Sequence, residues 1–320
     1  MQVRVRLIAG CLPLTILFAT ASAQATPDSI DNSSRDSVVK SYQTWLAPLL
    51  AVPTGWTGNL ETCDAGTISA ENAEATLSAV NYVRALSDLP PVTMDPAKSA
   101  KSQAAALIMA ANGYLTHTPP KDAKCWTKAG YEGASNGNIF LGWGYEPGTL
   151  SDSTGPRSIL GYMADPGETN TMVGHRRWIN YQQLGTIGTG DTETSNSLYL
   201  LPETYLAPSG TRWVPWPAAG FFPRELEPAG RWSLSYPGAN FSRARIKVSA
   251  PNGLSINAKR HSIQNGYGDN TLSWDMTLPD TYRSNQATDY PISVRVTGIR
   301  LPSGRTVTHS WTTTLVKAAG

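Results

Sequence analysis

Cysteine is nearly missing from this chain: Cys11, Cys63 and Cys125 are its whole complement among 320 residues, and no two stand at CxxC spacing. A thiolate metal cluster or a dithiol redox centre therefore has too few ligands. Histidine is almost as scarce, with four, and no HExxH pairs two of them on one helix face. No GxGxxG follows a clear strand and no GxxxxGKS/T occurs, so a nucleotide cradle is unsupported. Apolar runs are short. The longest, Leu7 to Ala19, falls below what a bilayer-spanning helix needs.

That run reads instead as an export signal. Arg4 and Arg6 precede it, and Ala21-Ser22-Ala23 or Ala23-Gln24-Ala25 supplies a small-residue cleavage site. Residues 1–25 are thus expected to be removed from a secreted protein, extracellular or periplasmic. Ile8-Ala9-Gly10-Cys11 has the look of a lipidation site, but Cys11 stands ahead of most of the apolar run, which favours simple cleavage. Removing residues 1–25 takes two of the 26 Lys and Arg and none of the 24 Asp and Glu, so the formal charge falls from +2 to zero. With no Lys/Arg stripe left, neither nucleic acid nor anionic membrane is expected as a partner. In an oxidising compartment Cys63 and Cys125 are expected to pair. Closing a loop of about 60 residues stabilises by roughly 4 kcal/mol in the chain-entropy model.

What is present divides into two domains. Residues 26–70 form a polar lead-in. In the first domain, residues 71–205, Ser69 caps a helix whose stripe is Leu77, Val80 and Val83. Asp95-Pro96 opens a second helix, which Gly113 stops after Asn112; Ala100, Ala104, Ala105 and Ala111 suggest a closely packed neighbour. His117 follows on a loop. Pro156 heads a short helix through Tyr162, and His175 then precedes a glycine-punctuated strand, Leu184 to Gly190. A lone histidine such as His175 is as readily a buried side chain satisfied by a carbonyl as a functional one. However, Arg176, Arg177 and Trp178 beside it are not what a plain core helix needs.

Residues 206–229 carry Trp213-Val214-Pro215-Trp216-Pro217 and Gly220-Phe221-Phe222-Pro223, too proline-rich for a sheet ladder. They read as a linker strap packing aromatics, with a sugar platform of Trp213, Trp216 and Phe221 as the alternative. From residue 230 to 320 the period is two: Ala244, Ile246 and Val248 alternate with Arg243, Arg245 and Lys247, and Ile292, Val294 and Val296 with Ser293, Arg295 and Thr297. An Ig-like or fibronectin-like β-sandwich is expected. His309, beside Trp311, reads as structural and His261 as exposed.

Several motifs of the first domain occur in a familiar order. They are Asn81-Tyr82-Val83-Arg84, Leu89-Pro90-Pro91-Val92, Asn112-Gly113-Tyr114-Leu115-Thr116-His117-Thr118, Gly137-Asn138-Ile139, Gly174-His175-Arg176 and Leu184-Gly185-Thr186-Ile187-Gly188-Thr189-Gly190. Over about Glu71 to Leu201 the chain resembles the CAP superfamily of cysteine-rich secretory, antigen 5 and pathogenesis-related proteins, the SCP-like domain, in its bacterial branch. The resemblance implies an α+β, three-layer α-β-α sandwich, export, and a cleft where two histidines and two carboxylates can bind a divalent metal. Carried over, the histidines are His117 and His175, with Asn138 in the cleft. The carboxylates do not carry over. Gly137 occupies one glutamate's place, and Ser158 to Met163 contains no acid where the other belongs.

Two imidazoles alone fall short of a zinc site, which takes three or four protein ligands. A metal such as zinc would need Glu168, Asp165 or Glu132 to fold in, and Glu168 is the candidate because it lies in the expanded segment before His175. No cofactor is required by the sequence. The expected function is a non-catalytic binding module for a lipid, sterol, glycan or protein; a secreted hydrolase, metal-assisted or not, using the same cleft is the alternative.

Overall fold

The computed structural model describes residues 29–142, 151–201, 210–227, 229–279, 282 and 288–319. The expected export signal, Cys11 and residues 202–209 of the expected domain end and linker lie outside them. Helix boundaries follow their caps. Ser69 accepts the Asn72 N–H at the start of α2 (Ala70–Leu86), after the short α1 (Arg35–Ser41) of the lead-in. Asp95 accepts from Ala97 and Lys98 at the start of α3 (Pro96–Asn112), and Gly113 ends it in the left-handed conformation, φ 66°.

A four-stranded sheet runs in the order β1 (Thr93–Met94), β3 (Thr186–Asp191), β4 (Ser195–Tyr199), β2 (Gly137–Leu141). β1 pairs with β3 in parallel and the other pairs are antiparallel. Helices α3 and α4 (Lys128–Ser135) cover one face, and α2 and α5 (Gly155–Ala164) pack together on the other. This is the α-β-α sandwich. Of the alanines expected to meet a close neighbour, Ala100 is exposed. However, α4 does approach α3 closely: a Cβ on Gly130 would stand 2.9 Å from Ala104 O and one on Gly133 2.9 Å from Ala105 Cβ. The sheet closes in from the other side, where a Cβ on Gly188 of β3 would stand 2.3 Å from the Lys98 carbonyl carbon and one on Gly190 2.2 Å from the Gln103 nitrogen. The Cys63–Cys125 disulfide ties the lead-in to the loop after α3.

The remainder is two stacked sheets. One has the order β10 (Ala258–Arg260), β11 (Thr271–Met276), β7 (Arg231–Ser235), β5 (Val214–Trp216). The other has β6 (Gly220–Pro223), β13 (Thr306–Val316), β12 (Tyr290–Arg300), β8 (Arg245–Ser249), β9 (Ser255–Ile256). Among the described residues no helix is long and apolar enough to cross a membrane.

The proline-rich segment is thus no strap outside the ladders. β5 and β6 are edge strands of the two sheets, pairing with β7 and β13, and an edge needs no N–H from proline on its open side. Trp216 is fully buried against Phe222, and Trp213 lies half-covered between Tyr236 and His309, so these rings form no open sugar platform. His261 is also not exposed as expected: its side chain is 10% accessible and its Nε2 lies 3.1 Å from Asp275. The lead-in reaches past the first domain as well, with the Asn32 side chain donating to Leu86 O and its carbonyl accepting from Phe221 N–H. One apolar cluster runs through both halves.

Gly190→Ala should lower stability in denaturant unfolding by about 1–3 kcal/mol or more, the cost of overpacking. A variant as stable as the wild type would show that α3 can back away from β3.

Candidate functional site

The turn after α5 decides the site. Asp165 takes the left-handed conformation, φ 49°, at the helix end and is fully buried. The chain then passes a single turn at Glu168–Asn170 and enters α6 (Gly174–Ile179) through Val173, also left-handed. This detour brings Asp165 back against α6. Its Oδ1 lies 2.6 Å from His175 Nδ1, and its Oδ2 accepts the Arg176 backbone N–H at 3.0 Å. The carboxylate accepts, so Nδ1 donates and Nε2 keeps the lone pair.

His117 is held the same way from another direction. Its Nδ1 donates to Ala134 O at 2.7 Å, at the end of α4, which leaves its Nε2 free. Asn138 on β2 donates to His175 O at 3.1 Å and fixes the α6 backbone. Both histidines border two adjoining cavities, of about 480 and 370 Å³. The first is walled by Asn138, Met172, Trp178 and Ser135; the second by Ile139, Phe140 and Tyr162. Among the described residues lining them there is no Asp, Glu, Lys or Arg.

The second domain closes one side of the larger cavity through Gly266 and Tyr267. The two arginines after His175 explain how. Arg176 donates to Met163 O at 2.7 Å and Ala164 O at 3.3 Å in its own domain, and to Ser233 Oγ at 3.0 Å and Arg231 O at 3.1 Å in the sandwich. Arg177 donates to Gln264 O at 2.7 Å and twice to Asp269 O, at 3.1 and 3.0 Å, and lies under the Tyr267 ring. Burial pulls both guanidinium pKa values down to about 10. Arg231 answers from the sandwich, donating to the carbonyls of Asp165 at 2.6 Å and Gly167 at 2.7 Å.

The acids proposed for a metal are elsewhere. Glu168 is exposed on its turn and borders neither cavity, and Glu132 pairs with Lys101 at 3.0 Å. Asp165 is engaged by His175 and Arg176. Among the described residues no group of three or more His, Cys, Asp and Glu is placed to hold a metal. Among the described residues the donor set in the cleft is two imidazoles, which does not fit a zinc site of three or four protein ligands.

Ser135 lines the larger cavity and is one residue that a motif could have flagged, because Gly133-Ala134-Ser135-Asn136-Gly137 has the five-residue pattern of a nucleophile elbow. Here the order is helix then strand, the reverse of that elbow, and the Ser135 hydroxyl donates to Glu132 O at 3.3 Å. Tyr267 was missed because nothing local to it points to a cleft some 90 residues back in the chain.

Behind His175 runs a buried polar chain. Tyr162 packs on the imidazole, ring centroids 5.4 Å apart, and donates to Asn196 Oδ1 at 2.8 Å. Asn196 donates to Asp191 Oδ1 at 2.9 Å, which also accepts the Gly155 N–H at 2.7 Å at the start of α5. Asp191 Oδ2 has no hydrogen-bond partner among the described residues, and burial raises this carboxyl from 3.8 to about 7. The folded state therefore holds the proton more tightly than the unfolded chain, and that stabilisation is lost as pH rises through about 7. Asp191→Asn keeps the acceptor and should flatten the fall in melting temperature between about pH 4 and about pH 7; an unchanged slope would assign the titration to another group.

A family model described as the cysteine-rich secretory protein family, CAP, matches residues 77–207. No curated protein and no solved structure matches the chain.

Proposed function

We propose, from the match of residues 77–207 to the CAP, or cysteine-rich secretory protein, family model, that this is an exported, non-catalytic binding protein. Its ligand lies in the cleft between the CAP domain and the sandwich. The observation that carries this reading is the lining. Tyr267, Trp178, Met172 and Phe140 supply apolar surface, while Asn138, Asn170 and the two imidazoles supply a few hydrogen-bonding groups, without a formal charge among the described lining residues. Such a mixture suits an uncharged ligand with an apolar face, a sterol, a neutral lipid or a neutral glycan. The Cys63–Cys125 disulfide supports export into an oxidising compartment.

A second reading, hydrolysis, has one observation in its favour. Asp165 orients His175 with its Nε2 free, as a general base requires, and Ser135 borders the same cavity. The two readings separate by mutation. In fluorescence titrations with a sterol, a neutral lipid and neutral oligosaccharides, Tyr267→Ala should weaken the bound ligand about tenfold, a loss of about 1.4 kcal/mol. The His117→Ala/His175→Ala double variant should bind more weakly but still bind, because the apolar surface remains. Turnover of a chromogenic ester that the double variant abolishes would favour hydrolysis, and binding indifferent to Tyr267→Ala would move the ligand out of this cleft.

A further inference from the structure

The zero net charge of residues 26–320 conceals two opposite halves. Residues 26–229 carry 13 Lys and Arg against 20 Asp and Glu, a net of −7; residues 230–320 carry 11 against four, a net of +7. The few acids of the basic half are engaged. Asp275 is held by Arg231 and His261, Asp289 by Arg35, and Asp269 is buried at the junction with the first domain, while Asp280 lies outside the described residues.

Strand register then gathers the free cations. On the outer face of the five-stranded sheet, Lys247 of β8 stands directly opposite Arg295 of β12, whose other neighbour is Ser310 of β13. Arg245 is opposite Thr297 one step along, and Ser249, Ser293 and Thr312 form the row on the other side. Arg245, Lys247 and Arg295 are exposed, and among the described residues none makes a salt bridge. A like-charge pair directly across a ladder is destabilising by itself, and places where a local rule is broken tend to be functional. Lys247, Arg295 and the hydroxyl row border a groove of about 420 Å³, with Arg245 next along β8 beyond its lining, and no acid is among the described residues that line it.

We propose that this face binds an anionic polysaccharide, one whose carboxylates meet Arg245, Lys247 and Arg295 while Ser249, Ser293, Ser310 and Thr312 hydrogen-bond its hydroxyls. A row of hydroxyl side chains beside the cations suits a polymer dense in hydroxyl groups. Nucleic acid is the weaker fit, because single strands are bound by stacking bases on aromatic rings and the only aromatic side chain bordering the groove, Trp311, is 7% accessible. Alternation along the chain already puts Arg245 and Lys247 on one face, and strand register adds Arg295 beside them. The site shares no lining residue with the cleft at His117 and His175 and does not rest on the reading of that cleft.

The test uses the full chain and polygalacturonate, with binding followed over a salt series. The wild type should bind at low salt. Arg245→Ser/Lys247→Ser/Arg295→Ser should lose about tenfold or more in affinity, with a salt dependence shallower by about one unit of log K against log salt for each cation removed. Lys259→Ser/Arg305→Ser/Lys317→Ser removes the same charge elsewhere on the basic half and should bind nearly as the wild type does. Equal losses in the two variants would reduce the effect to net charge and overturn the proposal. So would absence of binding to polygalacturonate, or tighter binding of duplex DNA than of the polysaccharide.

Discussion

Two buried arginines must find partners. Removing a guanidinium from water costs several kcal/mol unless hydrogen bonds replace the solvent, and α6 places Arg176 and Arg177 where the sandwich supplies carbonyl oxygens to receive them. The same short helix carries His175 one residue earlier. The histidine's place in the cleft and the docking of the second domain are therefore set by one constraint. Arg231 reinforces it in the opposite direction by gripping the Asp165 turn. The cleft is a joint product of both halves, and one apolar cluster continues beneath it.

Much of this was legible in the sequence where a local rule governs. Ser69, Asp95 and Gly113 mark helix ends because caps act over three residues, and the CAP motif order located His117 and His175. The Cys63–Cys125 pairing followed from expecting two cysteines to remain in an oxidising compartment. The rest depends on partners distant in the chain. The prolines of residues 213–223 argued against a ladder, yet edge strands accept them. His261 looked exposed until β11 brought Asp275 beside it. The place of Tyr267 in the cleft and of Arg295 beside the β8 cations are products of tertiary placement and register, which composition and spacing do not encode.

The loss of the expected acids changes what the two imidazoles do. Gly137 occupies a position where a Cβ would stand 2.5 Å from Leu198 O, so the backbone of β2 lies too close to β4 for a larger side chain to be added without movement. Asp165 does not fill the gap, because it orients His175 from behind through Nδ1. What remains is a pair of imidazoles with free Nε2 atoms in a mostly apolar cleft. The proposed recognition of a neutral ligand rests on that lining.

The central claim is that the two halves form one body with the cleft built across them. Scanning calorimetry of the wild type tests it most directly. A shared core and two buried arginines across the junction predict a single unfolding transition whose calorimetric and van't Hoff enthalpies agree. Two separated transitions, one for each half, would contradict the account.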